Sequence, residues 1–146
     1  MRYKEISSDL FVHNRKRLLK KLKADSLAVV QANDIMPTNA DGTLRYRQNS
    51  DLFYLTGIDQ EDTTLLLCPD FPDKKFREVL FIRETNETIA TWEGRKLTRD
   101  EARKRTGIDT VLWAADFNRI FSMVMLTGDV NHVYLNMNEH YRADVA

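Results

Sequence analysis

The chain is poor in cysteine, glycine and proline, and carries no excess of either charge. A single cysteine, Cys68, excludes an intramolecular disulfide framework and a cysteine-rich zinc module. Five glycines and three prolines among 146 residues exclude collagen-like and low-complexity character. No run approaches the roughly 18 apolar residues of a membrane-spanning helix. Lysine and arginine total 22 and so do aspartate and glutamate, so overall charge gives no reason to expect a nucleic acid as partner. Catalytic motifs are missing as well. There is no H-E-x-x-H, no G-x-S-x-G, no glycine-rich phosphate loop and no cysteine pair. The histidines, His13, His132 and His140, are scattered. His132 and His140 with Glu139 and Asp144 match no metal-ligand spacing, so they are expected as ordinary core or surface residues. Cys68 ends an apolar run before Pro69 with no basic neighbour, and is expected to be a buried, inert thiol.

What is present is globular. Apolar residues make up 42% and charged residues 30%. A chain of this length forms one domain and buries about 68–70% of its unfolded surface without staples. Met1 to Asp9 is polar and has no secretory apolar segment, so cytoplasm is the expected compartment and the Asn86-Glu87-Thr88 acceptor triplet is expected to be unused. Residues 1–25 hold eight of the basic residues against three acids. That excess reads as a solvated helix face, because no aromatics interleave with it to stack on bases.

Periodicity gives the elements. Ser7 or Ser8 caps a helix to about Leu22 with Phe11, Leu18, Leu19 and Leu22 on one stripe. Ser26 to Val30, Thr63 to Cys68, Glu78 to Ile82, Thr110 to Trp113 and His132 to Leu135 read as strands. Asn33 to Leu44 is a long loop, and long ordered loops tend to be functional. Ser50 to Thr56 is a short aromatic helix capped by Asn49-Ser50-Asp51 and ended by Gly57. Asn86 to Trp92 forms another, with Ile89 and Trp92 three apart. Thr98 and Glu101 make a capping box for a helix ending at Gly107. Asp116 caps a helix whose Phe117, Ile120, Phe121, Val124 and Met125 face the core, with Gly128 as its stop. Strands and helices alternate, so the class is α/β with a mixed or parallel, mostly buried sheet. The chain stops a few residues after the last strand with no closing helix, which reads as a cut domain.

The sharpest local signal is Tyr46-Arg47-Gln48-Asn49-Ser50-Asp51-Leu52-Phe53-Tyr54-Leu55-Thr56-Gly57. Physically it is a polar loop feeding an aromatic turn. Asn49 or Ser50 caps, Phe53 and Tyr54 pack, and the Arg47 guanidinium is expected to need a carboxylate partner, Asp41 being one candidate. This run resembles the signature of the aminopeptidase P/prolidase group, specifically the N-terminal domain of Xaa-Pro aminopeptidases. Asn39-Ala40-Asp41 before it and Trp92-Glu93-Gly94-Arg95-Lys96-Leu97 after the third strand agree with that resemblance.

The resemblance implies a three-layer α/β/α domain over residues 1–146, with a mixed sheet of about five to six strands in a ribonuclease-H-like arrangement. It implies a parent metallo-aminopeptidase that removes the N-terminal residue from peptides with proline second. Two divalent metals, usually manganese, belong to a following pita-bread catalytic domain. None of their ligands maps onto this chain, so the chain alone should bind no metal and be inactive. The implied partners are that catalytic domain, further copies of the chain in a homo-oligomer, and proline-containing peptides. Trp92, Asp41, Arg47 and Tyr54 are assigned to the surface that shapes substrate access or subunit contact. Trp92 is either an exposed anchor or packed under its own helix with Ile89. Asp41 is either an entrance acid or a solvated turn residue. Two further readings of the whole remain: a stand-alone peptide-binding module of this fold, or the N-domain of a prolidase- or creatinase-type hydrolase.

Overall fold

Three consecutive strands carry unbroken apolar runs over residues 27–30, 65–67 and 79–82, which only a sheet covered on both faces can bury. A computed structural model describes residues 4–36, 38, 42–43 and 45–137. It contains β1 (Ser26–Gln31), β2 (Thr64–Leu67), β3 (Glu78–Ile82), β4 (Thr110–Trp113) and β5 (His132–Leu135) in one sheet of order β4-β3-β2-β1-β5. β2 runs antiparallel to both its neighbours; the β3–β4 and β1–β5 pairs are parallel. The sheet is therefore mixed, with five strands, as the resemblance implies and as the alternation of strands and helices allows.

Alternate residues feed two cores. Val30, Leu65, Leu67, Leu80 and Ile82 face helices α1 (Ser8–Leu19), α2 (Ser50–Thr56) and α4 (Arg99–Thr106), meeting Phe11's neighbours Leu52 and Leu55 and the α4 residue Ala102. Leu27, Val29, Leu66, Val79 and Phe81 face α5 (Phe117–Thr127) and pack on Ile120 and Val124. Each fully buried leucine contributes about 1.5–3 kcal/mol, so the two-faced strands dominate the stability. α3 (Glu87–Glu93) lies apart, with no buried residue.

Local chemistry sets the boundaries. Asn49 accepts from the Asp51 and Leu52 amides to start α2. Gly57 ends it at φ 70°, where a Cβ would also lie 2.3 Å from the Phe11 ring. Thr98 and Glu101 form the expected box at α4. Asn86, the residue of the acceptor triplet, caps α3 through the Ile89 amide.

Several expectations are corrected. α1 ends at Leu19 rather than near Leu22, although Leu18, Leu19 and Leu22 still pack against the core. Asp116 makes no capping hydrogen bond and instead pairs with Arg119 at 3.5 Å. Met125 is exposed, and Met123 packs in its place. β5 is an edge strand whose Val133 and Leu135 are exposed, so the sheet is buried through β1–β3 and open at β5. Arg15 does not belong to the solvated basic face: it is fully buried.

Arg15 holds three elements at once. It donates from Nη1 to the Leu55 carbonyl, from Nη2 to the Thr106 carbonyl and from Nε to Glu78. Two of these partners are in the last turns of α2 and α4, where unpaired carbonyls and the helix dipoles favour a cation. Burial pulls the guanidinium's pKa down, and the Glu78 carboxylate opposes that pull.

Candidate functional site

Strands β1, β3, β4 and β5 point the same way. Their carboxyl ends, at Gln31, Ile82, Trp113 and Leu135, therefore share one rim of the sheet with the start of β2. Ligand sites of open α/β sheets gather at such a rim. Both motif segments emerge there, the signature from the loop after β1 and the tryptophan segment after β3.

The signature's polar residues are folded into its own backbone. Gln48 is buried and donates from Nε2 to the Ile58 and Gln60 carbonyls, while its Oε1 accepts from the Tyr46 hydroxyl and the Asn49 amide. Asn49, also buried, donates to Asn33 Oδ1 and to the Met137 carbonyl beyond β5. Burial pushes the Tyr46 phenol well above its ordinary pKa, helped by the negative charges of Asp59, Glu61, Asp62 and Asp34.

Arg47 and Tyr54 line one groove between α1 and α2, of about 700 Å³, with Ile6, Leu10 and Phe53. Arg47 is exposed and has no ion-pair partner among the described residues, while its candidate partner Asp41 lies outside them. Tyr54 is 46% exposed, and its carbonyl accepts from Asn14 Nδ2 at 2.8 Å. Phe53 meets Phe11 edge-on at 6.2 Å. Asp41, with Asn39 and Ala40, lies outside the described residues, as do Glu139, His140 and Asp144.

Trp92 is not packed under its helix. It is 84% exposed on α3, while Ile89 is half-buried. The segment around it is tied to the loop that also supports the signature. Gln60 Oε1 accepts from the Leu97 amide, and the Gln60 carbonyl accepts from Gln48. Glu61 pairs with Lys96 at 2.5 Å and with Arg83 at 3.5 Å, and Arg83 pairs with Glu93 at 2.8 Å. Burial raises the Glu61 pKa, but the Lys96 hydrogen bond and the nearby cations outweigh it and leave the carboxyl below its ordinary value.

Sequence reasoning missed the Gln48 bonds and the Glu61 ion pairs. Gln48 has a weak sequence signal, an amide buried among capping residues. Glu61 has none, since Lys96 is far along the chain. Cys68 is buried, and burial raises its pKa. Among the described residues no three His, Cys, Asp or Glu side chains come together as metal ligands. No described helix is long and apolar enough to cross a membrane.

The fold recurs in known proteins. Residues 11–134 match the family model described as "Aminopeptidase P, N-terminal domain". The Xaa-Pro aminopeptidase of Escherichia coli K12 is 32% identical over 141 residues, 97% of this chain and 31% of that protein. The aminopeptidase PepP of Pseudomonas aeruginosa superposes with TM-score 0.79 at 26% identity, over 93% of this chain and 30% of that one. A zinc-substituted E. coli aminopeptidase P in complex with product gives TM-score 0.77 at 31% identity, over 97% and 32%. The chain thus spans about a third of the length of the relatives it matches.

Proposed function

Since the chain belongs to the aminopeptidase P N-terminal domain family, we propose that it serves as the non-catalytic N-terminal domain of a metal-dependent Xaa-Pro aminopeptidase. In this reading the whole protein removes the first residue from peptides with proline second. Two divalent metals, manganese by resemblance, are held by the following domain; zinc stands at the metal site of one E. coli relative. The domain's work is to pack on catalytic domains of its own and neighbouring subunits and to narrow the approach of substrate. Trp92, Arg47, Tyr54 and Asp41 carry that work.

The observation that supports this most is Trp92. A tryptophan left 84% exposed on a helix with no buried residue contributes nothing to the domain's own core. Large aromatics of this kind act as anchors when a partner surface covers them. Arg47 and Tyr54 add a cation and an amphipathic ring, both exposed and both on the wall of the α1–α2 groove.

The test uses this chain and the product of the complete reading frame, each with added manganese. The expected result is Xaa-Pro peptidase activity in the longer product only. In that product Trp92→Ala should lower turnover of longer peptides by about tenfold, equivalent to about 1.4 kcal/mol, with the melting temperature unchanged. Equal kinetics of variant and parent on a tripeptide and on a longer peptide would remove Trp92 from the substrate path. A complete reading frame that encodes no second domain would favour a stand-alone binding module.

A further inference from the structure

A seven-residue helix with no buried side chain has little packing to hold it. α3 nevertheless leaves β3 and returns to the fold within a few residues, turning at Gly94 with φ 86°. What flanks it is ionic. Glu93, its last residue, bonds Arg83 at 2.8 Å. Lys96, two residues past Gly94, bonds Glu61 at 2.5 Å. Arg83 also reaches Glu61, at 3.5 Å. The four groups form one series, Glu93–Arg83–Glu61–Lys96, that closes around the α3–Gly94 turn from both sides. Glu61 is its common member and the most buried of the four, with 13% of its side chain exposed. Its neighbour Gln60 holds the Leu97 amide in the same direction. The series is thus anchored in the loop before β2, which the signature also grips through Gln48.

We infer that Glu61 is a positioning residue for Trp92: through Arg83 and Lys96 its carboxylate holds both ends of the α3 turn and sets the direction in which the exposed ring projects. The inference rests on the reading above only for the use to which Trp92 is put. A half-buried pair of cations sharing one acid is stronger than separate surface pairs, because each ion is partly shielded from water. Arg95, next to Gly94, also pairs with Glu101 of α4 at 3.2 Å, but its side chain is 82% exposed, so that pair is screened by water and holds the turn more weakly than the Glu61 pairs.

Two measurements on the 146-residue chain test it. The first is amide exchange through residues 87–96 in the parent and in Glu61→Gln, which keeps the side chain's shape and removes its charge. The second is ¹⁹F NMR of the chain labelled with 5-fluorotryptophan, in which Trp113 under Arg99 serves as an internal control. Expected in Glu61→Gln are exchange at least about tenfold faster across 87–96, a shifted and narrowed Trp92 resonance, and an unchanged Trp113 resonance. Salt at about 1 M, where the Debye length is about 3 Å, should loosen the parent in the same way and add little in the variant. Unchanged exchange and an unmoved Trp92 resonance would overturn the inference. If Glu61→Gln fails to fold, Lys96→Met and Arg83→Met remove the two cations that Glu61 holds, and no loosening in either would overturn it equally. Lys96→Arg should restore the parent behaviour.

Kinetics of the longer product separate this from the functional reading. Glu61→Gln should raise KM for longer peptides and leave tripeptide kcat unchanged. Loosened α3 with unchanged KM would sustain the positioning role and sink the role of Trp92 in substrate access. Unmoved α3 with a strong Trp92→Ala effect would do the reverse.

Discussion

Arg15 lies on the apolar stripe, four residues after Phe11 and four before Leu19, and that position is the one sequence sign of its burial. Its partners lie 40, 63 and 91 residues away, so nothing local names them. Arg15→Met should cost about 3 kcal/mol, because two helix-end carbonyls and Glu78 lose their donor together; urea denaturation measures it. Arg15→Lys should rescue little of that loss, since one ammonium cannot span the fork. Tyr46 offers a pH test. Its phenol titrates higher in the fold than the ordinary value of about 10. The stability it contributes is therefore complete below about pH 10 and is lost as pH rises through the folded-state value. Tyr46→Phe should show a flatter loss of stability than the parent between about pH 9 and pH 11, read from denaturant midpoints. An equal slope in both would show that the phenol gains no extra protection from the fold.

Elements were legible where their signals are local. Asn49 and Thr98 cap helices by bonds spanning two or three residues and stand in the sequence as caps, while Asn86, read there as the first residue of its helix, is the cap before it. Strands β1 to β3 were legible because each carries an unbroken run of three or four apolar residues. The exceptions are instructive. Asp116 looks like a cap, yet its side chain turns to Arg119 instead. β5 has the residues of a buried strand, but as the outermost strand it leaves Val133 and Leu135 exposed. It pairs with β1 alone, so its amides should exchange at least about tenfold faster than those of β2, which is bonded on both sides. Exchange-resolved mass spectrometry of the two strands reads this directly, and equal protection would mean that the β5 edge is covered in solution. The α3 helix was legible but the ion pairs around it were not, because Glu61 and Lys96 are joined only by the fold.

At the scale of the molecule, the mixed sheet with helices on both faces follows from alternation and two-faced strands, and the family from one motif of a dozen residues. The candidate surface was legible only in part. Arg47 and Tyr54 share a groove and Trp92 stands exposed, but exposure depends on what the rest of the fold leaves uncovered, which no short motif encodes. The strand order has one more consequence. A chain emerging from a ribosome presents β1, then β2, β3 and β4, and each can be laid beside the strand before it, so the sheet grows outward in one direction. β5 alone must return to the opposite side of β1. Until residue 132 has been made, β1 keeps one flank of main-chain amides and carbonyls unpaired along its apolar residues 27–30. The growing polypeptide therefore carries a temporary sticky flank through most of this sheet's synthesis, and the last of the five strands to be translated is the one that closes it.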